Sequence, residues 1–138
     1  MFEVAEQTDA RLAAGACAPV RPHLIAEAGT NHNGSVETGK RLIDAAIAAG
    51  AGSVKFQMIF PEGLYLPRFW QDGRYVESEV FAKRAATQLS DAQWRELAAC
   101  ARERGIPMSA SVFDVRGLDL LDAIDAPYIK IASCDLNN

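Results

Sequence analysis

Six polar side chains lie in or directly after short apolar runs of this sequence. Glu27 stands in "HLIAEA", Lys55 and Gln57 in "SVKFQ", Ser111 in "MSASVF", and Lys130 and Ser133 in "PYIKIAS". Two ammonium groups converging beside two hydroxyls would bind a phosphate or carboxylate well. Each residue also has a plainer reading. A lysine on an edge strand discourages pairing with another chain, and Glu27 alone marks where a strand meets water. His32, just after the first run, reads as a turn or capping residue rather than a base or ligand. No pair of His or Cys stands at metal-ligand spacing.

Short strand signals alternate with helical ones from His23 onward. Strands are expected at about 23–28, 53–57, 107–112 and 128–132, with helices at about 36–50, 91–104 and 115–125. Ser35 is placed to cap the first helix, whose apolar face is Val36, Ile43, Ala46 and Ile47. Ser90 and Gln93 have capping-box spacing, with Leu89 and Trp94 at the hydrophobic-staple positions. Trp94, Leu97, Ala98 and Ala101 then make one stripe. Asp114 can cap a third helix whose face is Leu118, Leu121 and Ile124. Helices between successive strands make parallel βα units. An open doubly wound sheet and part of a (β/α)₈ barrel both fit, and both place ligands at the carboxyl ends of strands. The G-x-G-x-x-G turn of dinucleotide binders is absent after the first strand.

Alternation puts Lys55 and Gln57 on one face of the second strand and Val54 and Phe56 on the other. Lys130 likewise points opposite to Ile129 and Ile131. Strands of this kind suit a barrel, with apolar sides meeting helices and lysines at the mouth. The 58–88 connection is long for a βα unit, and such loops are usually functional. Its aromatics, Phe60, Tyr65, Phe69, Trp70 and Tyr75, fit a lid over a pocket, or else a small subdomain or interface patch.

The 138 residues are enough for one domain or part of one. With 49% hydrophobic and 23% charged residues the chain is of ordinary globular composition. A formal charge of −4 argues against non-specific nucleic-acid binding. No apolar run approaches the ~18 residues of a membrane span, and residues 1–22 lack the pattern of a signal peptide. They read as a tail in which 10–16 could form a short helix. Cys17, Cys100 and Cys134 are an odd, scattered set, read as reduced cytosolic thiols.

Several motifs fall together in a recognisable order. "IAEAGTNHNG", "AGAGSVKFQ", "LSDAQWRELAACARERGIP", "SVFD" and "YIKIASCDLNN" resemble the N-acetylneuraminate (sialic acid) synthase family, from about His23 to Asn138. That resemblance implies a (β/α)₈ TIM-type barrel, usually followed by a small antifreeze-like domain. It implies a cytoplasmic enzyme of sialic acid biosynthesis that condenses phosphoenolpyruvate with an N-acetylhexosamine-type aldose. The products are a nonulosonic 2-keto-3-deoxy acid and phosphate. Lys55, Ser111, Lys130 and Ser133 would correspond to phosphoenolpyruvate-binding positions, and Glu27, Gln57 and Asp135 to positions where the two substrates meet. Asp135 would take the proton from the attacking water or stabilise positive charge at C2, and Glu27 would hold sugar hydroxyls. Met58 stands where threonine is common, Ser111 where many relatives have threonine, and Asp135 where the longer glutamate is frequent. Runner-up readings are another phosphoenolpyruvate-dependent 3-deoxy-keto-acid synthase and a non-catalytic phospho-sugar-binding half barrel.

The resemblance also implies that four βα units are the first half of the barrel. The family's metal-binding histidines, for Mn or Mg, would lie outside this chain, since His23 and His32 do not match them. A homodimer is implied for the full-length protein. Residues 23–138 are therefore expected to be a truncated N-terminal fragment, inactive alone. Its open strand edges and uncovered apolar side chains would favour dimers or aggregates. Size-exclusion chromatography together with a phosphate-release assay checks this. A monodisperse monomer that turns over phosphoenolpyruvate with an aldose would overturn it.

Overall fold

The structure, a computed structural model, describes residues 22–137. The expected helix over 10–16 and Cys17 lie outside those residues. Four strands form one parallel sheet in the order β1 (Ile25–Gly29), β2 (Ser53–Met58), β5 (Met108–Val112), β6 (Lys130–Ile131). The helices between them are α1 (Val36–Ala48), α4 (Asp91–Glu103) and α5 (Val115–Ala123). This is the α/β order the sequence predicts.

The caps follow the sequence. Thr38 N–H donates to Ser35 Oγ at 3.2 Å, and Gly117 N–H to Asp114 Oδ1 at 2.8 Å. The capping box is complete: Gln93 N–H donates to Ser90 Oγ at 3.3 Å, and Ser90 N–H to Gln93 Oε1 at 2.8 Å. Each bond satisfies a donor that the first helical turn leaves without a partner.

The core lies on one face of the sheet. Val54, Phe56 and Met58 of β2 and Met108, Ala110 and Val112 of β5 are buried there under Ile43, Trp94, Leu97, Leu120 and Leu121. Trp94 meets Phe56 edge-on with ring centroids 5.9 Å apart. At the outer surface Lys40 of α1 bonds Glu96 of α4 at 2.7 Å, and Arg104 bonds Asp44 at 2.6 Å. The hydrogen bond to Glu96, then that to Glu37, raises the Lys40 pKa. Exposed pairs of this kind fix how two helices align rather than adding much stability.

Four expectations need correction. The third-helix stripe is displaced: Leu118 is 42% exposed and Leu120 is buried in its place, because α5 turns its Gly117–Leu120–Leu121 side onto the sheet. Ile47 is also partly exposed. The last strand is shorter than 128–132. Ser109 Oγ donates to the Tyr128 carbonyl just before the strand, and a 3-10 turn begins at Ser133 just after it. No helix covers its outer side among the described residues, so Ile129 and Ile131 are exposed.

The fourth concerns the long connection, expected as a lid or else a small subdomain or interface patch, which has secondary structure of its own. It folds as α2 (Pro61–Leu64), an antiparallel hairpin of β3 (Arg68–Gln71) and β4 (Arg74–Glu77), and α3 (Glu79–Ala86). Phe60 belongs to the core, with the Arg116 guanidinium 3.9 Å from its ring centre. Trp70 and Tyr75 stack on each other, centroids 5.1 Å apart, and face water rather than a pocket.

The two tryptophans therefore differ in energetic weight. Trp94→Ala is expected to lower unfolding stability by about 3–5 kcal/mol, since it empties the centre of the core. Trp70→Ala should cost no more than about 1.5 kcal/mol, the worth of one exposed aromatic contact. Urea denaturation followed by circular dichroism measures both. Equal losses would mean that the hairpin is part of the core.

Candidate functional site at the carboxyl ends of the strands

The face of the sheet opposite the helices is polar. Register places Glu27 beside Lys55, Lys55 beside Ser109, Gln57 beside Ser111, and Ser111 beside Lys130. Alternation then brings Glu27, Ser53, Lys55, Gln57, Ser109, Ser111 and Lys130 onto one side. Near the amino ends, His23 Nε2 lies 3.0 Å from Ser53 Oγ, which is 3.3 Å from the Tyr128 hydroxyl. These residues bind one another and form a floor. The sequence reading did not single them out, although their period-2 spacing was the available signal.

Above that floor, Lys55 links three strands. Its ammonium forms an ion pair with Glu27 of β1 and donates to Ser111 Oγ of β5 at 3.4 Å. The Lys55 side chain is 11% exposed and that of Glu27 is 48% exposed. The lysine stem is thus fixed between strands while the carboxylate faces water. An incoming anion would share the ammonium with Glu27, which would then be freed to accept from a hydroxyl.

A bulge at the end of β1 sets the position of Glu27. The register slips between Glu27 and Gly29, and Gly29 takes φ +56°. Such a slip redirects a strand end and favours glycine. A methyl group on Gly29 would stand 3.7 Å from Glu27 Oε1 and 3.8 Å from Gln57 Nε2, so the two polar groups flank a bare backbone.

The turn that follows is tightly wound. Asn31 N–H donates to Ala28 O, Asn33 N–H to Thr30 O and Ser35 N–H to His32 O, at 2.9–3.1 Å. His32 is buried, accepts at Nδ1 from Gly34 N–H at 3.1 Å and packs edge-on against Trp94. It is a turn residue in this structure, as its surroundings in the sequence suggest. Burial lowers its pKa.

Lys130 shares this face, but none of Lys130, Ser133 and Asp135 bonds to Glu27, Lys55 or Ser111. Lys130 neighbours Ser111 in register, yet its side chain and that of Ser133 are exposed. Asp135 lies on the 3-10 turn and lines a cavity between β6 and α5 with Val112, Leu118 and Ile131. Two residues absent from the sequence reading do approach the site. Arg84 of α3 donates to Thr30 Oγ1 at 3.1 Å, and both line a small cavity with Gln57 and His32. Nothing in local spacing connects residues so far apart in sequence. Cys100 is buried and Cys134 exposed, neither in a disulfide, and burial pushes the Cys100 thiol pKa up. Among the described residues no cluster of His, Cys, Asp and Glu could hold a metal ion, and no helix is long and apolar enough to cross a membrane.

Comparison with known proteins gives this arrangement a context. The model of the NeuB family matches residues 42–138. N-acetylneuraminate-9-phosphate synthase of Drosophila melanogaster is 36% identical over 121 residues, covering 84% of this chain and 32% of that protein. Spore coat polysaccharide biosynthesis protein SpsE of Bacillus subtilis is 33% identical over 140 residues, covering 99% and 35%. Among solved structures, the N-acetylneuraminic acid (sialic acid) synthetase of Leptospira borgpetersenii, in complex with citrate, superposes with a TM-score of 0.68. It shares 31% sequence identity, over 82% of this chain and 36% of that one. The chain thus spans about a third of the length of the curated relatives it matches.

Burial of His32 predicts a pH dependence of stability. Its pKa is lowered from 6.5, so below that pH the unfolded chain binds a proton that the folded one resists. Stability should be unaffected by this group above about pH 7.5 and fall as pH drops through 6.5, by at most about 1.4 kcal/mol per pH unit. The loss levels off below the folded-state value. Urea midpoints at pH 7.5 and 5.5 measure it, and His32→Asn, whose carboxamide can still accept from Gly34, should flatten the dependence. An unchanged slope in that variant would remove His32 as the cause.

Proposed function

The chain belongs to the NeuB family, and from that premise we propose that it carries the phosphoenolpyruvate-facing part of a nonulosonic-acid synthase. In this reading the parallel sheet is the first half of a (β/α)₈ barrel. The remaining elements are needed for turnover, and the chain alone is inactive. The acceptor is an N-acetylhexosamine-type aldose, and the complete enzyme works as a cytoplasmic homodimer.

The observation that carries the proposal is Lys55, held between Glu27 and Ser111 across three strand ends. Phosphoenolpyruvate presents a carboxylate and a phosphate, and cations fixed in place before it arrives need little reorganisation as charge shifts. Lys55 and Ser111 would hold one end of it, and Lys130 and Ser133 the other. Glu27 and Gln57, on either side of Gly29, would bind the aldose so that its aldehyde carbon faces C3. That carbon accepts the C3 electron pair in the new C–C bond, while its C=O π pair moves onto the oxygen, which takes a proton and becomes a hydroxyl. Water adds at C2, the C2–O bond to phosphate breaks, and a 2-keto-3-deoxy acid and phosphate leave. Asp135 would accept the proton of that water once β6 is enclosed. A divalent metal, Mn or Mg, would polarise the aldehyde. Among the described residues no set fits it, and this reading places its ligands in the rest of the barrel.

The exposure of Lys130 and the seat of Asp135 on the turn after β6, neither bonded to the Lys55 group, favour a second reading: a non-catalytic half barrel that binds phospho-sugars. One experiment separates the two. The polypeptide that joins this chain to the rest of the barrel is incubated with phosphoenolpyruvate and a panel of aldoses, and phosphate release is followed. The synthase reading expects release only when an N-acetylhexosamine is present. Lys55→Ala should then raise KM for phosphoenolpyruvate about 10–100-fold, the worth of one charge-assisted contact. Asp135→Asn should lower kcat about 100-fold or more. Binding of phosphoenolpyruvate without release for any sugar would favour the second reading.

A further inference from the structure

The described residues bury four polar side chains: Ser53, Ser109 and Ser111 on the polar face of the sheet, and His32. His32 packs instead into the apolar core, its ring edge-on to Trp94 at 5.3 Å and tilted against Phe56 at 6.3 Å between centroids. An apolar side chain could fill that space without losing hydration, so the imidazole is accounted for by the bond it makes. Its Nδ1 accepts from Gly34 N–H at 3.1 Å. No substrate reaches the ring, because the cavity that it lines with Thr30 and Gln57 measures about 10 Å³, room for one water molecule at most. His32 therefore acts on the site through the turn and through β2.

The turn governs Glu27 for a reason visible in the ladder. β1 and β2 stay in register from Ile25 to Glu27 and slip between Glu27 and Gly29. Beyond Glu27 the sheet no longer fixes the course of the chain, and the bonds of the turn do. Asn31 N–H donates to Ala28 O, Asn33 N–H to Thr30 O and Ser35 N–H to His32 O. The His32 ring adds the bond to Gly34, which takes φ +76°. Without that acceptor a part-buried N–H loses its partner, and the turn recovers one only by opening to water. On the other side, the Phe56 that the ring meets is flanked in β2 by Lys55 and Gln57. His32 thus contacts both segments that carry Glu27 and Gln57.

We infer that His32 is a positioning residue for acceptor binding: by holding the turn after β1 it keeps the Glu27 carboxylate opposite Gln57 across Gly29. This rests on the synthase reading above, in which Glu27 and Gln57 bind the aldose. It goes beyond that reading by assigning a residue that touches neither substrate. The competing role is core packing alone, and the two roles rank substitutions in opposite order. Leucine fills the space and has no acceptor. Asparagine accepts from Gly34 through its carboxamide and leaves the core underfilled.

The test compares wild type, His32→Leu and His32→Asn in the same complete polypeptide, with phosphoenolpyruvate and the aldose that supports phosphate release. His32→Leu should raise KM for the aldose about tenfold. KM for phosphoenolpyruvate should change less than about threefold, because Lys55 keeps its bond to Ser111. His32→Asn should keep both KM values within about threefold of wild type. His32→Met, which also lacks a strong acceptor, takes the place of His32→Leu if that variant does not fold. An aldose KM raised as much in His32→Asn as in His32→Leu, or raised in neither, overturns the assignment and leaves core packing. If no aldose supports phosphate release, the synthase reading has failed, and the Lys55 ion pair still decides about His32. The Lys55 ammonium nitrogen resonance, assigned with Lys55→Gln, should then move in His32→Leu of the present chain and not in His32→Asn. A resonance that moves in both, or in neither, overturns the assignment.

Discussion

The alternation of side chains along β2 is the constraint on which the rest of the chain depends. Val54, Phe56 and Met58 are fully buried on one side, while Ser53, Lys55 and Gln57 point to the other. A parallel sheet in an α/β protein is ordinarily covered and apolar on both faces. Here one face is apolar under α1, α4 and α5, and the other carries hydroxyls, charges and amides. Shifting β2 by one residue would bury Lys55 among Trp94 and Leu97 and expose Phe56. Core packing and the candidate site therefore fix each other, because both are read from the same six residues.

The polar face has two levels of different character. His23, Ser53, Ser109 and Tyr128 bond one another near the strand starts, so their polar groups are already satisfied. Nearer the strand ends the groups are only partly satisfied: Glu27 is half-exposed, Lys55 shares its charge, and Gln57 flanks a bare glycine backbone. A satisfied network gives rigidity, while an incompletely paired one can exchange partners with a ligand. This gradient, more than any single residue, marks the carboxyl ends as the candidate site.

The long 58–88 connection contributes at its two ends. Phe60 and Pro61 enter the core, and Gly63 passes so close to Asp114 that a methyl group there would displace the Asp114 side chain. At the far end, Arg84 and Thr87 settle onto the turn after β1. Between them the Trp70–Tyr75 hairpin projects with both faces open. Anchoring both ends brings the end of α3 onto the turn after β1, although the chain enters the connection from β2.

Local rules determined much of this protein. Caps at Ser35, Ser90 and Asp114 depend on groups three residues apart, and the two-faced pattern of β2 depends on alternation alone, so both were legible in the sequence. The order of βα units followed from the same signals, and so did the gathering of Glu27, Lys55, Gln57 and Ser111 at strand ends. Tertiary structure decided what depends on distant partners. Leu120 rather than Leu118 entered the core because the roll of α5 is set by the sheet beneath it. β6 keeps only two residues, between the Tyr128 carbonyl bonded to Ser109 and the 3-10 turn at Ser133. The approach of Arg84 to Thr30 joins residues 54 apart, and no period in the sequence encodes such a meeting. It exists because the end of α3 packs on the turn after β1.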